Sequence, residues 1–219
     1  LMGAALGYKV ALVMPSNVSQ ARKDITRAFG TELIFSDPLE GSDGAIRLVR
    51  KLVEENPDRY FYPDQYSNPD NPLAHYKSTG PEIWRQTQGR ITHFVSSMGT
   101  PGTIMGVSRY LKEVAPQVQV IGVQPADGAQ IPGIRRWPEA YLPKIYEAPR
   151  VDRIIDVSQT DAEDMTRRLA REEGLFCGIS SGGAMVAALL IAATTPDALV
   201  VSIVCDRGDR YLSTGVFPD

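Results

Sequence analysis

Apolar positions fall along the chain in short β-branched runs that alternate with stretches of helical periodicity. Residues 8–14 read as a strand. Asn17, with Gln20 three positions on, marks a helix start, and Gly30 ends that helix. Residues 32–35 form a second strand. Ala45, Ile46, Val49, Leu52 and Val53 share one helical face, which Asn56-Pro57 stops. A short third strand is expected at 59–62.

Residues 64–72 are a run of turn formers and set a boundary between two domains, 1–68 and 69–219. Beyond them the pattern predicts a helix over 74–87, a strand at 91–97, a helix over 104–114 and a buried strand at 118–123. Residues 127–149 are rich in Pro and Gly and read as a long functional loop. A strand at 154–157, a helix opened by a Thr160/Glu163 capping box and ended by Gly174, a helix over 182–193 and a buried strand at 198–205 complete the chain. This order predicts an α/β fold of parallel sheets covered on both faces. In such sheets ligands sit at the carboxyl ends of strands, where helix N-termini point.

Composition narrows the function classes. The 219 residues are 43% hydrophobic and 22% charged, as in an ordered soluble protein. A net charge of −3 gives no field for nucleic acid or an anionic membrane. The two cysteines, Cys177 and Cys205, make neither a disulfide framework nor a four-thiolate zinc site, and no metal is expected. They suit a reducing compartment. Residues 174–196 carry no charge, but the continuous apolar run, 184–193, is about half of the ~20 residues that a span needs. The N-terminus lacks the features of a signal peptide, so a cytoplasmic location is expected.

Three strand-to-helix junctions carry candidate chemistry. In Ser97-Met98-Gly99-Thr100-Pro101-Gly102-Thr103, glycines let amides approach an anion, threonines add donors, and the next helix presents its positive end. An ordinary glycine-rich turn is the bland alternative. In Gly178-Ile179-Ser180-Ser181-Gly182-Gly183 a hydroxyl opens a helix. It can bond a ligand heteroatom, or only cap the helix. The same segment has the Gly-x-Ser-x-Gly form of a serine hydrolase. That fold places its histidine after the serine, whereas His75 and His93 both precede Ser180. The third junction, Cys205-Asp206-Arg207-Gly208-Asp209-Arg210, is either a solvated turn or a site wall. His93 reads as a core histidine, and His75 as a residue of a polar helix with no second metal ligand.

The series Asp64-Gln65, Asn68-Pro69-Asp70-Asn71-Pro72, Thr79-Gly80-Pro81-Glu82-Ile83-Trp84 and the first two junctions, in this order, resembles the pyridoxal-phosphate-dependent cysteine synthases. Residues 131–138 and 205–213 resemble the B-type branch. The resemblance implies the tryptophan-synthase β fold (fold type II), with two parallel-sheet αβα domains, and a homodimer. It implies a reaction in which O-acetylserine loses acetate and sulfide or thiosulfate adds, giving L-cysteine or S-sulfocysteine. The implied cofactor is pyridoxal 5′-phosphate, with Gly99, Thr100, Pro101, Gly102 and Thr103 on its phosphate and Ser180 on its pyridine nitrogen. Gln65 corresponds to a residue near the substrate carboxylate, Arg135 to a cation for the anionic sulfur donor, and Cys205 to a neighbour of that site. Pro101 stands where threonine is more frequent in the family and removes one N–H.

The family's Schiff-base lysine and its substrate-carboxylate loop have no counterpart here. Lys9, Lys23, Lys51, Lys77, Lys112 and Lys144 lie in other contexts. Leu1 to Gly7 reads like the end of a helix. The expectation is therefore an N-terminally truncated chain with an incomplete first domain, no catalytic residue of its own and no activity alone. A non-catalytic relative that binds a phosphate ligand or a partner protein is the alternative, and a hydrolase using Ser180 a further one.

Overall fold

The computed structural model describes residues 1–217. The chain forms two compact units, Leu1–Pro63 with Asp209–Asp219, and Asp64–Gly208.

In the first unit a short helix, α1 (Met2–Ala5), precedes β1 (Ala11–Pro15), α2 (Gln20–Ala28), β2 (Glu32–Ser36) and α3 (Gly41–Glu55). β1 and β2 pair in parallel, with Val13 opposite Ile34. The cap of α2 differs from the expected Asn17: the Ser19 side chain accepts the Arg22 amide. Ser19 directly precedes the first helical residue, so its hydroxyl reaches that orphan amide, and Asn17 lies too early. Gly30, at φ 73°, follows the helix end as expected. The strand expected at 59–62 does not form. The Asn56 carbonyl accepts the amides of Arg59 (3.1 Å) and Tyr60 (3.3 Å), which closes a turn after α3.

The second unit contains α4 (Asp70–Lys77), α5 (Thr79–Gln86), β3 (His93–Ser97), α6 (Gly102–Val114), β4 (Gln119–Pro125), β5 (Arg153–Val157), α7 (Gln159–Glu173), α8 (Ile179–Thr194) and β6 (Val200–Ser202). Its sheet has the order β5-β4-β3-β6, with every pair parallel. Phe94, Val95, Ile104, Met105, Val107, Leu111, Val118, Val120 and Val123 are fully buried. Most of them form one cluster in which β3, β4 and α6 meet, with Ile83 of α5 and Ile91 beside them. Each large apolar side chain so buried contributes roughly 1.5–3 kcal/mol. That rigid core holds the carboxyl end of β3 and the start of α6 in place.

Three expectations for this unit are corrected. The single helix over 74–87 is two helices. The amide and hydroxyl of Ser78 both donate to the Ala74 carbonyl (3.0 and 2.7 Å), closing α4. Pro81 has no N–H to continue the ladder. α7 is capped by Ser158, which accepts the Asp161 amide at 3.1 Å, and not by Thr160. β6 has three residues instead of the run 198–205; the Cys205 amide turns to the Ser181 hydroxyl (2.9 Å) and leaves the ladder. The loop expected at 127–149 is present, with short 3-10 turns at Glu139–Tyr141 and Ala148–Arg150. Among the described residues no helix is long and apolar enough to cross a membrane.

Candidate active site

The site lies within the second unit, where β3 hands the chain to α6. Met98 is buried and its amide donates to the Val123 carbonyl (2.9 Å), so the strand pairing continues to the edge of the turn. Pro101 is the N-cap residue of α6. The first intrahelical bond runs from the Met105 amide to the Pro101 carbonyl (3.0 Å). The amides of Gly102, Thr103 and Ile104 therefore precede the ladder and point out of the helix start. No acidic side chain stands in the first turn to compete for this positive end.

Two backbone approaches require glycine. A Cβ on Gly102 would lie 1.8 Å from the Asn71 side-chain oxygen, and a Cβ on Gly99 would lie 2.6 Å from the Gly133 carbonyl. The first is imposed by α4, which packs on the start of α6. The second is imposed by the 126–152 loop, which folds back over the turn. Gly133 has φ +89° and its Cα faces Ser180, whose Oγ would lie 3.2 Å from a Cβ there. Gly133 thus brings together the two glycine-rich junctions that sequence treated separately.

Gln65, before α4, accepts the Thr100 hydroxyl at its Oε1 (2.9 Å), and its carbonyl accepts from the Asn71 side-chain amide (2.8 Å). The Thr100 hydroxyl is thus committed to Gln65. The Thr103 hydroxyl instead lies 3.2 Å from His75 Nε2. His75 Nδ1 lies 2.9 Å from the Thr79 hydroxyl. Burial lowers the His75 pKa.

Ser180, in the first turn of α8, is 3% exposed, and its carbonyl accepts the Ser97 hydroxyl (2.7 Å). Cys205 follows β6, exposed, with its amide on Ser181. Withdrawal of water by neighbouring groups raises its thiol pKa, against a hydrogen bond from Ser180 that lowers it. Arg135 is held by its amide, which donates to the Met98 carbonyl (2.8 Å), and its guanidinium stacks 4.1 Å over the Trp137 ring. Trp137 in turn donates from Nε1 to the Gly99 carbonyl (2.8 Å) and meets the Tyr66 ring edge-on at 5.4 Å.

The predicted residues therefore fall into connected groups. Gly99 and Ser180 meet across Gly133, and Gly102 packs against Asn71. Gln65 joins them through Thr100, and Arg135 through Met98 and Trp137. Cys205 joins through the Ser180–Ser181 turn. Sequence reasoning missed Asn71, His75, Gly133 and Trp137 as members. A signal was present: Asn71 and His75 are four apart on α4, and Gly102 and Gly106 are four apart on α6. A Cβ on Gly106 would fall 2.1 Å from the Pro72 carbonyl and 2.6 Å from the His75 Cβ. The hydrolase alternative finds no partner in His75, because both its ring nitrogens are taken by threonines. His93 Nδ1 is taken by Thr92 (2.8 Å).

Residues 1–206 match the profile of the family described as pyridoxal-phosphate dependent enzymes. The chain is 59% identical to cysteine synthase B of Pseudomonas aeruginosa over 99% of its length, spanning 72% of that protein. It is 54% identical to cysteine synthase B of Escherichia coli, again over 99% of its length and spanning 71% of the relative. Among solved structures it is similar to a cysteine synthase from Entamoeba histolytica, with a TM-score of 0.87 and 39% identity over 98% of this chain, spanning 66% of that one.

Proposed function

The chain belongs to the pyridoxal-phosphate-dependent enzyme family, and we propose that its second unit holds pyridoxal 5′-phosphate for a β-replacement on O-acetylserine. The observation that carries this reading is the start of α6. There, amides point outward, the first turn of α6 carries no acidic residue, and glycine is required at 99 and 102 by Gly133 and Asn71. Such a cradle suits a phosphate group. The amides of Gly102, Thr103 and Ile104 and the Thr103 hydroxyl are its donors. Pro101 shapes the turn without donating. Thr100 acts through Gln65, which its hydroxyl orients toward the substrate carboxylate.

The cofactor, when bound, supplies the electron sink for breaking the bond at the β-carbon. Ser180 offers the pyridine nitrogen a neutral hydroxyl. A carboxylate there would enforce protonation of the ring; a hydroxyl does not, which favours β-elimination over transamination. The Cα proton of the substrate is removed as acetate leaves with the electron pair of the Cβ–O bond, and a proton returns to Cα when the sulfur donor has added. Sulfide or thiosulfate then forms the new C–S bond, giving cysteine or S-sulfocysteine. Arg135, stacked on Trp137 and pinned to Met98, supplies a cation for an anionic sulfur donor, with Cys205 beside the Ser180 turn.

Within the second unit, Lys112 donates to the Val118 carbonyl and to Asp152 (both 2.8 Å), and Lys77 and Lys144 are exposed. On this reading the 219 residues hold the cofactor by non-covalent contacts and have no synthase activity alone. Titration of the chain with pyridoxal 5′-phosphate and with phosphate-free pyridoxal tests the cradle. The phosphate-bearing form should bind at least about tenfold tighter, equivalent to ~1.4 kcal/mol. Equal affinity for the two would overturn the reading.

A further inference from the structure

We infer that His75 is a positioning residue for the cradle: it donates from Nε2–H to the Thr103 hydroxyl oxygen and so aims the Thr103 proton at the bound phosphate. The inference rests on the reading of α6 as a phosphate site. A threonine hydroxyl has one proton and a lone-pair side. In the tautomer with a bare Nε2, Thr103 would spend its proton on His75 and turn lone pairs toward the anion. With the proton on Nε2, the Thr103 oxygen accepts across the observed 3.2 Å and its own proton is left for the ligand.

That tautomer requires a donor for Nδ1, and the structure supplies one. The Thr79 hydroxyl lies 2.9 Å from Nδ1. Thr79 begins α5 immediately after the Ser78 break, so the interruption that divides the expected helix delivers the second threonine. Burial, by lowering the His75 pKa, favours the neutral ring, which has one acceptor nitrogen to take the Thr79 proton. The result is a one-way chain of donors, Thr79 to His75 to Thr103 to phosphate, in which each bond polarises the next. Asn71, one turn earlier on α4, fixes the same helix against Gly102, so ring and hydroxyl keep their register.

The test compares the chain with His75→Gln and His75→Leu for binding of inorganic phosphate and pyridoxal 5′-phosphate, with pyridoxal as the phosphate-free control. Two-bond 1H–15N spectra of His75 in the parent chain report the tautomer. The Leu variant should lose about fivefold for both phosphate-bearing probes, the worth of one neutral hydrogen bond, and nothing for pyridoxal. The Gln variant, which keeps an N–H donor, should recover most of the loss, and the parent spectrum should show Nε2–H. A Leu variant that binds phosphate as tightly as the parent, a Gln variant no better than Leu, or an Nδ1–H spectrum overturns the inference alone. Failure of the parent to bind either phosphate-bearing probe overturns the reading of α6 and this inference with it. If the Leu variant does not fold, the Gln variant and the parent spectrum decide.

Discussion

Asn71 and Gly102 approach so closely that a Cβ on Gly102 would stand 1.8 Å from the Asn71 side-chain oxygen. Asn71 is itself tied down by its bond to the Gln65 carbonyl (2.8 Å), so it cannot swing aside freely. Gly102→Ala should therefore lower stability by about 1–3 kcal/mol, the usual cost of overpacking, and weaken pyridoxal 5′-phosphate binding. Asn71→Ala should recover part of the stability lost in Gly102→Ala. Urea denaturation of the two single variants and the double variant measures the coupling.

Ser180 is assigned to the ring of the cofactor and not to its phosphate. Ser180→Ala should weaken pyridoxal 5′-phosphate binding by about fivefold, as for one lost hydrogen bond, while inorganic phosphate binds unchanged. A parallel loss for both probes would show that Ser180 acts on the cradle.

The 126–152 loop, which carries Gly133, Arg135 and Trp137, is anchored by Glu147. Its carboxylate is paired with Arg109 of α6 and with Arg150, and the Arg109 hydrogen bond is the first cause that lowers its pKa below the ordinary 4.5. A depressed carboxylate pKa adds stability above its unfolded value, and that stability is lost as pH falls through the folded value. The stability difference between parent and Glu147→Gln should thus be largest above pH 4.5 and shrink in more acid solution. A difference independent of pH, measured by denaturation across this range, would contradict the ion-pair account.

No lysine of the second unit is assigned to the cradle. Borohydride reduction of the chain saturated with pyridoxal 5′-phosphate should leave no adduct concentrated at one lysine. Peptide mapping by mass spectrometry reads the result, and stoichiometric labelling of a single lysine would refute the assignment.

Much of the fold was legible because each strand of the second unit is built on a short run of β-branched and aromatic residues, and α6 and α7 have strong helical periodicity. The glycine turn before α6 was legible because backbone approach to an anion calls for glycine next to threonine. What escaped were features set by tertiary neighbours. The break at Ser78 depends on where its hydroxyl turns, and the shortness of β6 on Ser181 capturing the Cys205 amide. His75 looked idle because its partners, Thr79 and Thr103, lie in two other helices. Gly133 looked like one more loop glycine until the loop folded onto Gly99 and Ser180.

Backbone amide shifts of the 15N-labelled chain on titration with pyridoxal 5′-phosphate decide whether the start of α6 is the phosphate site. Saturable shifts should centre on Gly99, Thr100, Gly102, Thr103 and Ile104, with a second group around Ser180, and pyridoxal should abolish the first group but not the second. Saturable shifts confined to other parts of the chain, with the start of α6 unmoved, would contradict it.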